Sequence, residues 1–152
     1  MSKFMFDTNA FSSLLASHVD WSSFFSAHKN EFEFFITAVQ VEELAKIPDK
    51  NMENRIRHLL CLCCMNVKLV PTIGVVGKSR LGLCILGNGQ DMYAQLLNEN
   101  RSNISDAMIG DAAYREGCTL ITDDRKFINK LNAAQIPTMT FQEFCENIGL
   151  GV

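Results

Sequence analysis

The sequence predicts a three-layer α/β/α fold with a mostly parallel central sheet of about five strands. Short apolar runs that suit buried strands alternate with stretches of helical periodicity along the whole chain. The 152 residues are 47% hydrophobic and 20% charged. A chain of this size buries about 70% of its surface without disulfides. No internal repeat or linker divides it, which predicts one domain over residues 1–152.

The first half of the chain contains two predicted strands. Lys3 to Phe6 is a short apolar run that leads into polar residues, and Phe11, Leu14 and Leu15 then follow at helical spacing. The helix over 38–47 stops at Pro48. The predicted elements are a strand at 3–6, helices at 10–17 and around 21–25, a strand at 33–37, and helices at 38–47 and 51–65.

The second half begins with a strand at 67–70, which ends at Pro71. The segment 72–90 contains five glycines and little periodicity, which predicts a long loop, an insertion or a short irregular hairpin. Ser105 is the expected N-cap of the long helix that follows, and Gly117 its expected end. The predicted elements are helices at 91–98 and 105–116, a strand at 118–122, a helix at 125–133, a strand at 137–139 and a helix at 141–148.

The six cysteines are expected to be reduced thiols of a cytoplasmic protein. Asp7 lies where a signal peptide would be apolar, and the longest apolar stretch, 67–86, is broken by charges and a proline, so no membrane span is expected. Cys61 and Cys64 form a C-x-x-C motif in an apolar run that predicts a helix buried on several sides. A closed zinc site would need a second ligand pair, which the sequence lacks.

Carboxylates concentrate at the predicted carboxyl edge of the sheet. Asp7 follows the first strand, Asp123 and Asp124 follow the strand at 118–122, and Asp106 starts the helix before it. Several carboxylates facing one cleft repel one another unless some are protonated or a multivalent cation binds. Oxygen-only ligands suit Mg²⁺, with Mn²⁺ as a substitute, and no histidine lies in these segments. We therefore expect a hard divalent cation as cofactor.

Four stretches carry the motifs of a known family in chain order, at residues 5–11 (MFDTNAF), 36–44 (ITAVQVEEL), 104–113 (ISDAMIGDAA) and 117–127 (GCTLITDDRKF). They are similar to an opening strand with an Asp-Thr-Asn turn, an acid before Leu, an Asp-x-x-Ile helix, and Thr-x-Asp with Phe three residues on. The chain thus resembles the PIN-domain nucleases, and within them the toxins of VapBC-type toxin–antitoxin pairs. In the second motif, the spacing from Thr37 selects Glu43 over Glu42.

The resemblance implies a role for each matched residue. The family's four acidic metal ligands, which are also its catalytic residues, fall on Asp7, Glu43, Asp106 and Asp124. Residues expected to support them are the turn amide Asn9, the hydroxyl of Thr122 and an additional acid, Asp111. Each acid also has a purely structural interpretation, because Asp is common at helix N-caps and in turns.

The activity that the resemblance implies is that of a Mg²⁺-dependent endoribonuclease with a PIN-like fold. Such an enzyme hydrolyses RNA to a 5′-phosphate and a 3′-hydroxyl without using the ribose 2′-OH. The expected partners are an inhibitory antitoxin and a second copy of the chain. Basic residues expected to bind RNA are Arg125, Lys126 and Arg57. The alternatives are a catalytically dormant PIN-like module that binds proteins, and a PIN-type nuclease that acts on DNA or in RNA processing.

Overall fold

A computed structural model of the chain describes residues 1–87, 91–97 and 104–150. Its central sheet has five strands in the order β3-β2-β1-β6-β7, and all neighbouring strands are parallel. These strands are β1 (Ser2–Phe6), β2 (Phe32–Thr37), β3 (Lys68–Val70), β6 (Thr119–Ile121) and β7 (Thr138–Met139). A separate pair consists of β4 (Thr72–Ile73) and β5 (Cys84–Ile85).

Helices connect the strands, as expected for parallel neighbours. In the described part of the chain they are α1 (Thr8–Ala16), α2 (Trp21–Ala27), α3 (Ala38–Ala45), α4 (Met52–Met65), α5 (Met92–Leu97), α6 (Ile104–Glu116), α7 (Arg125–Ala133) and α8 (Phe141–Asn147). A 3₁₀ turn at Asp49–Asn51 precedes α4. Of the helices in these described ranges, none is long and apolar enough to cross a bilayer.

The sheet separates two apolar cores, which confirms the predicted three-layer architecture. Successive side chains of a strand point to opposite faces. Phe4 and Phe6 of β1 therefore pack with α1, α2, α4 and α8, where both rings meet Phe144 edge to face. Met5, between them, packs with α5, α6 and α7 on the other face. Burial on both faces explains why the last three residues of β1, 4–6, form an unbroken apolar run.

Helix α6 is the most deeply buried helix of the second core. Residues 107–113 are all buried, and Gly117, in the left-handed conformation at φ 65°, ends the helix as predicted. A Cβ on Gly110 would lie 2.6 Å from Leu96 Cδ1 and 3.3 Å from Leu131 Cδ2. Glycine thus allows α5 and α7 to approach α6 closely, and this packing fixes where the first turn of α6 emerges at the sheet edge.

The hairpin predicted as one alternative for residues 72–90 is wrong. Strands β4 and β5 pair in parallel, with Thr72 opposite Cys84 and Ile73 opposite Ile85, whereas a hairpin pairs its strands antiparallel. The residues between them loop back so that both strands run in one direction. The last part of the predicted segment, 88–90, lies outside the described residues.

Two further local predictions are also wrong. Helix α6 begins at Ile104, so Ser105 lies inside the first turn and is not the N-cap. Helix α4 packs through one face only, which leaves Leu60 59% exposed and also exposes Cys63 and Cys64. All six thiols are free.

The predicted helix at 91–98 runs from Met92 to Leu97, and Asn98 lies outside the described residues.

The close packing at Gly110 predicts that Gly110→Ala destabilises the protein. Alanine is normally the better helix former, but the new methyl group would overlap Leu96, and overpacking of this kind costs about 1–3 kcal/mol. Urea unfolding measures the free energy. The control is Asn129→Ala on the exposed face of α7, which should leave stability unchanged or slightly higher. Equal stability of the two variants would contradict the close contact.

Candidate functional site

The carboxyl edge of the sheet has its topological switch point between β1 and β6. From β1 the chain builds the sheet outward through β2 and β3, whereas β6 and β7 lie on the other side. The register places Phe6 opposite Ile121, so the next residues, Asp7 and Thr122, are neighbours. Open α/β sheets bind ligands at such points.

Asp7 is held in place through both carboxylate oxygens. Thr122 Oγ1 donates to Asp7 Oδ2 at 2.9 Å, and the Thr8 amide donates to Oδ1 at 2.7 Å, so Asp7 also caps α1. Its side chain is buried, and this burial raises the pKa of Asp7 to about 6 despite the two hydrogen bonds. The negative charges of Asp106 and Glu43 contribute to the rise, which places both acids near Asp7.

Glu43 reaches the site because α3 starts directly at the end of β2. Thr37 and Gln40 form a capping box, and Gln40 Nε2 also donates to the Phe6 carbonyl at 2.6 Å, which ties α3 to β1. Thr8 Oγ1 then donates to Glu43 Oε2 at 2.7 Å. The neighbouring Glu42 instead bonds Arg80 from the glycine-rich segment. The geometry therefore distinguishes the two adjacent acids in the way that the motif spacing predicts.

Asp106 and Asp124 complete the acidic group. Asp106 is half-buried in the first turn of α6, and desolvation followed by the charges of Asp124 and Glu43 raises its pKa, against an opposing effect of Lys130. Asp124 is exposed and caps α7, where its Oδ1 accepts from the amides of Lys126 and Phe127 at 2.8 and 3.2 Å. The structure thus brings together Asp7, Glu43, Asp106 and Asp124 from four different elements.

These four acids match a hard divalent cation in chemistry and in charge. They offer only oxygen ligands, and the pKa values of Asp7 and Asp106 are raised first by burial and then by the charges of neighbouring acids of the group. Within the described residues, no three carboxylate, imidazole or thiol side chains already surround a common point at ligand distance. The group is therefore an electrostatic cluster whose charge favours a cation, and not a finished coordination cage.

The residues expected to support the acids have different environments. Thr122 is fully buried, donates to Asp7 and accepts from the Asp124 amide at 3.2 Å, so one hydroxyl links two of the acids. Asn9 is exposed on the first turn of α1, and its side chain makes no hydrogen bond to another described residue. Asp111 is buried, but its oxygens accept from Arg115 Nε at 2.9 Å and the Tyr93 amide at 3.2 Å. Its visible role is to join α5 and α6.

The three basic residues expected to bind RNA are all exposed. Arg125 and Lys126 form the start of α7, directly after Asp124, and therefore border the acidic group. Arg57 lies on α4, beside α1.

Two contributors to the site are absent from the sequence-based assignment. Thr8 orients Glu43, whereas the sequence motif predicts that Asn9 supports the acids. Gln40 connects α3 to the end of β1. A sequence signal exists for Gln40, because Thr37-x-x-Gln40 is a capping-box pattern. The contact from Thr8 depends on how α1 packs against α3, which local sequence does not specify.

The chain is similar in fold to several solved structures. No protein-family model and no curated protein matches it. The solved structure of PAE2754 from Pyrobaculum aerophilum is 12% identical, with 97% of this chain and 96% of that chain covered and a TM-score of 0.58. VapBC2 from Rickettsia felis, bound to a DNA fragment from their promoter, is 15% identical over 91% and 98%, with a TM-score of 0.54. VapBC-1 from nontypeable Haemophilus influenzae is 15% identical over 92% and 98%, with a TM-score of 0.53.

These matches cover nearly the whole chain and confirm the resemblance at the level of the fold. The chain has the PIN-like fold that the four sequence motifs imply.

The buried carboxylate predicts that Asp7→Asn stabilises the metal-free protein at neutral pH. The pKa of Asp7 rises from 3.8 to about 6 on folding, so its contribution to stability is full below pH 4 and is lost as pH rises through 6. An amide cannot ionise, and we expect the variant to be more stable by about 1–3 kcal/mol at pH 7.5, with little difference at pH 4. Urea unfolding in EDTA at both pH values measures this.

The control for this prediction is Asp20→Asn. Asp20 is an exposed N-cap whose pKa is lowered by its bonds from Ser23, so its contribution is present at neutral pH and is lost as pH falls. That variant should be destabilised at pH 7.5. A loss of stability in Asp7→Asn as well would show that Asp7 acts mainly as a helix cap.

Proposed function

We propose that this protein is a Mg²⁺-dependent endoribonuclease and the toxin of a toxin–antitoxin pair. The observation that carries the proposal is the convergence of four acids at the carboxyl edge of the sheet, where Asp7 is buried with a raised pKa beside Glu43 and Asp106, and Asp124 lies near Asp106. A protein gains no stability from gathering four acids at one sheet edge, and such perturbed groups are typical of functional sites. Their positions are those at which the family resemblance places metal ligands.

The residues that would hold Mg²⁺ are Asp7, Glu43, Asp106 and Asp124. When bound, Mg²⁺ supplies a water of lowered pKa and neutralises the charge that develops on a phosphodiester during hydrolysis. Mn²⁺, which prefers similar oxygen ligands, is expected to substitute for it.

The protein's own contribution is to orient these acids before the substrate arrives. Thr122 and the Thr8 amide fix both oxygens of Asp7, and the Thr8 hydroxyl fixes one oxygen of Glu43. Two amides of α7 hold Asp124 Oδ1, while its Oδ2 accepts no hydrogen bond from the described residues. Asp7, Glu43 and Asp124 thus keep free lone pairs on carboxylates that hydrogen bonds hold in place. None of these groups requires a ribose 2′-OH.

The proposed partners follow from the structures that share the fold. Two of the matched structures are VapBC assemblies, which supports a small antitoxin that covers the acidic group. We propose RNA as the substrate, with Arg125 and Lys126 beside Asp124 as contacts to its phosphates. A homodimer in the cytoplasm is part of the same proposal.

The adjacent acids Glu42 and Glu43 provide a matched test of the proposed activity. Glu43→Gln should reduce Mg²⁺-dependent cleavage of labelled RNA by about 100-fold or more, because a lost ligand removes several kcal/mol of transition-state stabilisation. The control is Glu42→Gln, because Glu42 bonds Arg80 and not the acidic group. This variant should cleave RNA at the wild-type rate. Asp106→Asn should behave as Glu43→Gln does.

Three other outcomes would lead to different conclusions. Equal activity of the Glu42 and Glu43 variants would contradict the assigned site. Absence of cleavage in the wild-type protein, with no Mg²⁺ binding by calorimetry, would favour the dormant protein-binding module. Cleavage of single-stranded DNA as fast as RNA would favour the broader nuclease, since the mechanism consumes no 2′-OH.

Mg²⁺ should also stabilise the protein without any substrate. A ligand that binds only the folded state at ten times its Kd adds about 1.4 kcal/mol. The midpoint of thermal unfolding at pH 7.5 should therefore rise with Mg²⁺ in the wild-type protein and should rise much less in Asp7→Asn. The control is Asp111→Asn, whose carboxylate bonds Arg115 and the Tyr93 amide and which should keep the Mg²⁺ response. Equal responses in wild type and Asp7→Asn would place the cation elsewhere.

A further inference from the structure

A depression of about 270 Å³ lies between α1 and α4 and has no part in the site described above. Two helices alone line it, and four of its six lining residues are polar. The residues are Ser12, Leu15, Ala16, Asn54, Arg57 and His58.

The depression is one helical turn away from the acidic group. Thr8 and Ser12 are four residues apart on α1 and therefore lie on the same face of that helix, about 6 Å apart along its axis. Thr8 bonds Glu43, and Ser12 borders the depression. The surface thus runs from the acids over α1 to Arg57.

The floor of the depression is rigid because His58 is fixed at both ring nitrogens. His58 is only 7% exposed. Its Nδ1 lies 2.6 Å from the Asn54 carbonyl and its Nε2 3.4 Å from Ser12 Oγ. The carbonyl can only accept, so Nδ1 donates to it, and in the neutral ring Nε2 is left to accept from the Ser12 hydroxyl. This contact joins α4 to α1 directly beneath the depression.

Arg57 supplies the charge, and it lacks an acidic partner within the described ranges. Arg55, two residues earlier on the same helix, pairs with Asp49 at 2.9 Å and donates to the Ile47 carbonyl. The Arg57 side chain is exposed and makes no ion pair or hydrogen bond with another described residue. Its planar fork of donors matches a phosphate, and the exposed side-chain amide of Asn54 adds a neutral donor beside it.

We infer that this depression is a phosphate-binding subsite for the backbone of a single-stranded nucleic acid that lies across the acidic group. The inference rests on the proposed function for the class of ligand. It adds the path of the nucleic acid over the surface, from the acids along α1 toward α4. It also names Arg57 as the residue that holds a phosphate one helical turn from the site of hydrolysis. Ser12 and His58 are positioning residues that keep the two helices in register.

The test measures binding separately from cleavage. The probe is a fluorescently labelled ten-nucleotide uridine RNA in Ca²⁺, with intact RNA verified on a denaturing gel, and anisotropy gives the affinity at several salt concentrations. Arg57→Ala should weaken binding about 10-fold and reduce the slope of log K against log salt by about 0.7, the value for one phosphate contact on a single strand. Arg57→Lys, which keeps the charge and loses the fork, should lie between wild type and Arg57→Ala.

The matched control is Lys29→Ala. Lys29 is exposed and precedes β2, at the amino ends of the strands. The substitution therefore removes one positive charge, as Arg57→Ala does, but from the opposite edge of the sheet. This variant should bind as the wild type does. A second readout replaces each phosphate in turn by a neutral methylphosphonate. One position should weaken binding to the wild type, and the same position should have no effect on Arg57→Ala.

Equal affinity and salt slope for Arg57→Ala and Lys29→Ala, or no RNA binding by the wild type, would overturn the subsite. The outcome is independent of the proposed activity. If the wild type cleaves RNA in Mg²⁺ while Arg57→Ala binds normally, the nuclease stands and the subsite fails. If no protein cleaves but Arg57 still determines affinity and salt slope, the subsite stands and the nuclease fails.

Discussion

The arrangement of the site depends on one buried carboxylate at the switch point of a parallel sheet. The register between β1 and β6 forces Asp7 and Thr122 together, and the bond between them fixes the carboxylate where Asp106 and Glu43 also bear on it. Burial, together with the charges of Asp106 and Glu43, makes the ionised form of Asp7 unfavourable and raises its pKa. The fold tolerates this cost because the β1 residues Phe4, Met5 and Phe6, which precede Asp7, are buried among aromatic and aliphatic side chains on both faces of the sheet.

The other acids reach Asp7 through contacts that serve the fold as well. Gln40 ties the start of α3 to the end of β1, which determines the position of Glu43. Close packing at Gly110 sets the depth of α6 and therefore the place where Asp106 emerges. Asp111 joins α6 to α5 by its bonds to Arg115 and the Tyr93 amide. These contacts stabilise an arrangement in which like charges lie close together. Such opposition between stability and function is typical of functional sites.

Much of this was readable from the sequence because the signals are local. The apolar run before Asp7, the strand before Thr122 and the bounds of α7 depend on periodicity, caps and strand ends within a few residues. Predictions failed where long-range packing decides. The parallel pairing of β4 with β5 and the exposed face of α4 depend on which elements meet in space. The role of Asp111 also depends on packing. Its spacing from Asp106 along α6 does not predict that its carboxylate bonds Arg115.

Burial, with a smaller contribution from the charges of Asp106 and Glu43, makes the ionised form of the Asp7 carboxylate unfavourable, and a bound divalent cation would offset that cost. The most direct measurement is a pH titration of the Asp7 carboxyl carbon by ¹³C NMR, without and with saturating Mg²⁺. We predict a pKa near 6 in EDTA, and in Mg²⁺ a carboxyl that stays ionised down to pH 4. A carboxyl that titrates near pH 4 in EDTA, or that titrates identically with and without Mg²⁺, would contradict the claim.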